Sequence, residues 1–185
     1  MVMSEPVEET VDAVGDAGGL PELPGVGEWF VLHTRSRQEK IVMADLTARG
    51  VGVFLPLLTQ VRYYGRRKLM SEKPMFPGYV FLRGTRDDTF VADRTKRVAG
   101  IITVNDQQQL DWELRNIYLA ISRGAPLDPY PYLKEGVRVE VRAGPFRGVQ
   151  GIIEKRGQAD RLLLQVDLLG RAMSIEIDGS LLDPI

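Results

Sequence analysis

Lys73-Pro74-Met75-Phe76-Pro77-Gly78-Tyr79-Val80-Phe81-Leu82 joins a sharp turn to a strand. Pro77-Gly78 marks the turn, and Tyr79 to Leu82 is an apolar, aromatic run that reads as a buried strand. Upstream, Trp29-Phe30-Val31-Leu32-His33 has the same character and predicts a second buried strand. Ser36-Arg37-Gln38-Glu39 follows with the spacing of a capping box, which predicts a helix running to Arg49 and stopped by Gly50. Val42 and Leu46 would face the sheet. Val51 to Leu58 reads as a strand interrupted by Pro56. Thr59 to Lys68 reads as one arm of a hairpin whose tip holds Gly65-Arg66-Arg67-Lys68.

Downstream, Thr89 to Val98 predicts a short helix and Ile101-Ile102-Thr103-Val104 a strand. Leu110, Leu114, Ile117, Tyr118 and Ile121 recur at helical spacing, ended by Gly124 and Pro126. Trp112 lies on the other side of that helix, where an exposed indole suggests a contact between domains. Interleaved strands and helices imply helices layered on a sheet over residues 28–124. Residues 125–132 hold Pro126, Pro129 and Pro131 and read as a semi-rigid linker. From 133 to 185 the pattern changes to short alternating strands: Val137, Val139 and Val141, then Met173, Ile175 and Ile177. Leu162-Leu163-Leu164 is apolar on both faces. Glycines between these strands predict a small closed barrel.

The 24 basic and 25 acidic residues are unevenly placed. Residues 1–27 hold six acidic and no basic residues, leaving 24 basic against 19 acidic in the remainder, a balance of +5. An acidic, Gly/Pro-containing leader without aromatics cannot bury enough apolar surface to order itself, so 1–27 is expected to be disordered. The mildly basic body permits phosphate contact. The absence of cysteine excludes disulfides and thiolate chemistry. A single histidine, His33, excludes a His-rich metal site. There is no Gly-rich phosphate loop and no paired carboxylate framework, so neither a catalytic residue, a metal site nor a cofactor is expected. No run reaches the roughly 18 apolar residues of a membrane span. A cytoplasmic protein without a membrane partner is the expectation.

Two blocks carry a resemblance. Gly136 to Glu154, with Gly144-Pro145-Phe146-Arg147-Gly148 at its turn, resembles a KOW motif. Trp29 to Leu32, Lys73 to Phe81, and Arg97-Val98-Ala99-Gly100-Ile101-Ile102, in that order, resemble the N-terminal domain of the NusG/RfaH family of transcription elongation and antitermination factors. The resemblance implies an α+β protein: a mainly antiparallel four-stranded sheet flanked by helices, joined to an SH3-like KOW barrel. It also implies a monomer whose first domain binds the clamp helices of the largest catalytic RNA polymerase subunit and suppresses pausing. The barrel recruits a partner such as ribosomal protein S10 or Rho.

On this resemblance, Tyr79 and Phe81, which share one face of their strand, match the polymerase-facing patch, with Phe76, Trp29 and His33 as further members. By residue type alone these aromatics read as sheet core. Arg62, Arg66, Arg67, Lys68 and Lys73 form a basic group on the hairpin, with Tyr63 and Tyr64 among them. They suit backbone contact with upstream or non-template DNA at the transcription bubble, where tyrosines can stack on a base. Arg94, Lys96 and Arg97 form a second basic group. Phe146, at the barrel turn, is either core or the partner contact. The competing readings are a KOW-type RNA- or ribosome-binding module, against which the Phe-Pro-Gly-Tyr block argues, and, within the family, a general housekeeping factor. The close domain linker, the spacing before the Phe-Pro block and the compact length favour a specialised paralogue.

Overall fold

The computed structural model describes residues 22–133, 136–156 and 159–185. The expected leader therefore lies largely outside the described residues. Its last stretch, 22–27, is placed against the sheet, with Leu23 buried.

β1 (Glu28–Thr34) is central in a four-stranded antiparallel sheet with β2 (Gly52–Phe54), β5 (Tyr79–Gly84) and β6 (Val98–Thr103), in the order β2-β5-β1-β6. Its apolar run is buried on both faces because helices cover both. Phe30 and Leu32 pack with Val80 and Leu82 beneath α1 (Glu39–Ala48) and α2 (Arg86–Arg94), through Val42, Leu46 and Ala92. The alternate residues Trp29, Val31 and Phe81 pack on the other face with Leu110, Leu114 and Ile117 of α3 (Gln107–Ser122). Each such side chain, fully buried, stabilises by about 1.5–3 kcal/mol relative to exposure. At the sheet edge two glycine backbones nearly touch: a Cβ at Gly52 would lie 2.4 Å from the Gly25 Cα.

Two helix starts differ from expectation. Ser36 does not cap α1; Gln38 occupies the cap position without a side-chain bond. Glu39 is instead drawn inward, 7% exposed, and accepts from the Gly78 N–H at 2.7 Å. It thereby holds the Pro77-Gly78 turn against α1. The helix expected over 89–98 is α2, which starts earlier because Thr85 and Asp88 form a reciprocal capping box. It stops at Arg94, Lys96 takes a left-handed φ of 60°, and Val98 opens β6.

The hairpin is longer than expected. β3 (Leu57–Tyr64) and β4 (Arg67–Pro74) pair only with each other, through a two-residue Gly65-Arg66 turn. Pro56 separates β3 from β2.

The C-terminal strands are β7 (Asp128–Tyr130), β8 (Val137–Val141), β9 (Gln150–Arg156), β10 (Ala159–Val166), β11 (Arg171–Ile177) and β12 (Leu182–Pro184). They form one antiparallel sheet in the order β12-β8-β9-β10-β11-β7. It encloses a core of Val139, Val141, Leu162, Leu164, Met173 and Ile175. The result is a mixed α/β fold with a strand-rich C-terminal part of KOW type. Part of the Pro-rich segment is a strand: β7 lies at the sheet edge, where prolines lacking an N–H are tolerated. Within β9, Gly151 lets β10 approach closely: a Cβ there would meet the Leu163 carbonyl oxygen at 2.4 Å.

Candidate interaction surfaces

The five aromatic and imidazole side chains singled out from the sequence divide into two kinds. Register pairs Val31 with Phe81 and His33 with Tyr79, so all lie on the α3 side of the sheet. Trp29, Phe76 and Phe81 are buried at 2%, 2% and 0% exposure. Phe81 meets Phe76 edge-on, with ring centroids 6.3 Å apart. Trp29 is tied to α3: its indole N–H donates to Asp111 at 3.0 Å, and its backbone exchanges two bonds with the Gln107 amide. These three side chains are core, as residue type alone had implied, and in this arrangement present no surface to a partner. His33 and Tyr79 are the outer members. His33 is exposed, Tyr79 half-buried, and their rings stack at 5.2 Å and 22°.

The β3–β4 ribbon is almost wholly exposed. Directly opposed residues share a face. Arg62, Tyr64, Leu69 and Arg67 therefore lie on one side, with Lys73 toward the base. Val61, Met70, Tyr63 and Lys68 lie on the other. Strands of eight residues carry the Gly65-Arg66 tip about 27 Å along the ribbon. Tyr63 and Tyr64 are 71% and 62% exposed, too open for core. The ribbon thus interleaves guanidinium groups with free aromatic faces. Such a surface can neutralise phosphates and stack on unpaired bases.

The second basic group is less available. Arg97 donates to the Gln38 amide oxygen at 2.6 Å, and its carbonyl accepts from the Arg35 N–H at 2.8 Å, bracing the end of β1 against the start of α1. Arg94 and Lys96 are exposed. Phe146 is half-buried against the C-terminal core, in a turn whose Arg147 carbonyl accepts from Arg123 beyond α3.

A feature the sequence reading touched only through Trp112 is the second face of α3. Gln109, Trp112, Glu113 and Asn116 recur at i, i+3, i+4 and i+7 and meet the C-terminal sheet. The Trp112 indole donates to the Gln150 side chain at 2.7 Å and lies beneath the Arg138 guanidinium, 4.5 Å from the ring centroid. Asn116 Oδ1 accepts from the Gln150 N–H at 2.7 Å. Glu113 accepts from the Asp167 N–H at 3.1 Å and from Gln109 at 2.9 Å. Burial pushes the Glu113 carboxyl up from 4.5 to about 7, and the Asp167 carboxylate adds to the shift while both hydrogen bonds oppose it. Farther along, the Arg171 guanidinium lies 6.0 Å from the Tyr79 ring. The signal for this contact was the triple leucine of β10, apolar on both faces because α3 packs across it.

Among the described residues no acidic or imidazole cluster could hold a metal ion, and no helix is long and apolar enough to cross a membrane.

Residues 27–116 match the family model described as NusG, transcription termination factor. Over 177 residues the chain is 26% identical to the transcription termination/antitermination protein NusG of Neisseria meningitidis serogroup B, spanning 85% of this chain and 98% of that relative. It is 27% identical over 168 residues to the protein of the same name from Lactococcus lactis, covering 81% and 89%. For that of Escherichia coli K12 it is 26% over 152 residues, covering 78% and 84%. Among solved structures, a chain in the crystal structure of the MjSpt4:Spt5 complex is 17% identical over 85% of this chain and 97% of that one, with a TM-score of 0.31.

Proposed function

We propose that this chain, which belongs to the NusG family through residues 27–116, docks on RNA polymerase through its first domain, suppresses pausing and recruits a partner through its C-terminal strands. Its relatives bear the name transcription termination/antitermination protein, and the fold suits a binding factor. The observation that carries the docking site is the stacked His33–Tyr79 pair at the outer rim of an otherwise buried aromatic row. An aromatic anchored on rigid core and open on one side is the usual composition of an interface hot spot. The clamp helices of the largest catalytic subunit are the surface it would meet. The cationic ribbon would then run along upstream or non-template DNA, with Arg62, Arg66, Arg67, Lys68 and Lys73 on phosphates and Tyr63 and Tyr64 against bases. Phe146 and its turn offer a contact for the recruited protein, with ribosomal protein S10 and Rho as the candidates.

Tyr79→Ala should weaken binding to polymerase by about 1–3 kcal/mol while the fold persists. Equal affinity of the variant and the parent chain in a titration against purified polymerase would remove Tyr79 from the interface. Within the family we favour a specialised paralogue over the general factor, consistent with identities of only 26–27% to relatives from three different bacteria. Genome-wide occupancy separates the two: a specialist concentrates on a few operons, whereas a general factor follows polymerase on most genes.

A further inference from the structure

The contact between α3 and the C-terminal sheet is built around acidic groups that face one another. Glu113, on α3, is 3% exposed. Across the contact stands Asp167, whose N–H donates to Glu113 and whose carboxylate lies 3.4 Å from the same Gln109 amide nitrogen that donates to Glu113. Tyr132, which follows β7, faces the two carboxyls with a phenol that stays neutral over the range in which they titrate. Its hydroxyl is pushed up by burial first, then by Asp167 and by Glu113. Among the described residues the cation on this side, Arg138 of β8, is spent on the Gln109 oxygen at 2.6 Å and on the Trp112 ring rather than on Glu113. A cavity of about 10 Å³ lined by Gln109, Glu113 and Asp167 leaves room for at most about one water to solvate the carboxylate.

We propose that closure of the C-terminal domain onto α3 is coupled to proton uptake by Glu113, so that this acidic cluster acts as a pH-sensitive latch between the two domains. Once the domains part, Glu113 lies on the open face of a surface helix and Asp167 leaves it, and both causes of its raised affinity for a proton disappear. Closing then takes up a proton. The closed state keeps its full advantage below about pH 4.5, the ordinary value, and loses it as the pH climbs to about 7, the value in the closed form. Above that the carboxyl is ionised in both forms and the equilibrium levels off. The difference corresponds to about a 300-fold fall in the closed-to-open ratio across the window.

The chain has no cysteine, so the full-length protein accepts a clean label pair at Thr47→Cys on α1 and Lys155→Cys on β9, both exposed sites away from the contact. Interdomain distances by electron-electron double resonance, on samples frozen between pH 4.5 and 8.5, give the closed-to-open ratio without polymerase. The expected result is a closed fraction that falls by up to tenfold in ratio per pH unit below pH 7 and then flattens. Glu113→Gln keeps an acceptor for the Asp167 N–H and should stay closed with no such slope. Where the parent chain is closed throughout, adding Asn116→Ala, which removes the acceptor of the Gln150 N–H, brings the ratio into range and should reveal the same slope. An open distance at every pH, a ratio constant within twofold from pH 5 to 8 in the Asn116→Ala background, or an unchanged slope in Glu113→Gln would overturn the proposal.

Discussion

Truncation of Phe81 separates the two roles that the aromatic row can play. Its side chain is 0% exposed, paired with Val31 in the next strand, and flanked by Phe76 and Phe54 at ring-centroid distances of 6.3 and 6.4 Å. With neighbours on several sides and the strand held in a ladder, the site cannot collapse around an alanine. Phe81→Ala should therefore cost about 3–5 kcal/mol, the range for deleting a well-packed phenyl group. With a urea slope of about 1–3 kcal/mol per molar, the unfolding midpoint falls by at least about 1 M. Tyr79→Ala loses only a half-buried ring and its stacking on His33, so its stability loss should be clearly smaller. The assay is urea unfolding followed by tryptophan fluorescence, since Trp29 and Trp112 report on the sheet face and on the contact between the domains. A Phe81→Ala chain whose midpoint moved by less than about 0.3 M while its affinity for polymerase fell would refute this reasoning. It would mean that the buried row opens to a partner more readily than its packing implies.

Two further outcomes follow from the ribbon and the C-terminal sheet. Charge reversal at Arg66 and Arg67 should lower the yield of crosslinks to upstream DNA in an elongation complex and flatten its dependence on salt, because two phosphate contacts are lost; an equal yield would count against a DNA-facing ribbon. Gly151→Ala forces a Cβ to within 2.4 Å of the Leu163 carbonyl oxygen, so β9 and β10 must spread. A loss of about 1–3 kcal/mol is expected in thermal or urea unfolding, and a neutral result would show that the two backbones can give way.

Two strands of the sheet were legible because each is an unbroken apolar run of the length a doubly covered strand needs. Trp29 to Leu32 and Tyr79 to Leu82 fall inside β1 and β5. The stop at Gly50 was legible for a similar reason, since its φ of 76° is one that other residues resist. The capping box at Ser36 was not, because the spacing that suggests it also allows Glu39 to turn inward and hold Gly78. Local chemistry lost there to a tertiary hydrogen bond. The true box at Thr85 and Asp88 carries Asp rather than Glu at its third position, which departs from the usual sequence signature. In the site, residue type could not separate Tyr79 from Phe81, which lie two apart on one face; only the position of α3 decides which of them is roofed over. The face of α3 turned toward the C-terminal sheet was hidden because its members are polar. Gln109, Glu113 and Asn116 read as a solvated surface until their partners are seen.

That polar character bears on whether the C-terminal sheet can leave α3. When α3 separates from the C-terminal sheet, its apolar stripe, Leu110, Leu114 and Ile117, can remain packed on Trp29, Val31 and Phe81. What it newly shows to water toward β9 and β10 is Gln109, Trp112, Glu113 and Asn116, each carrying a group that water can satisfy, with Leu119 beside Gly148 the apolar exception. On the other side, the exposed groups include the Gln150 amide and the Asp167 N–H, together with the outward leucine of β10, Leu163. Interfaces between domains of one chain are commonly of this mixed kind, and relative motion is their usual behaviour. One buried apolar cluster takes in Leu114 and Ile117 of α3 together with Leu162 and Leu164 of β10. Around Leu163, by contrast, α3 places an indole, two amides and a carboxyl whose proton affinity burial raises, so this part of the joint carries groups that water can satisfy on release.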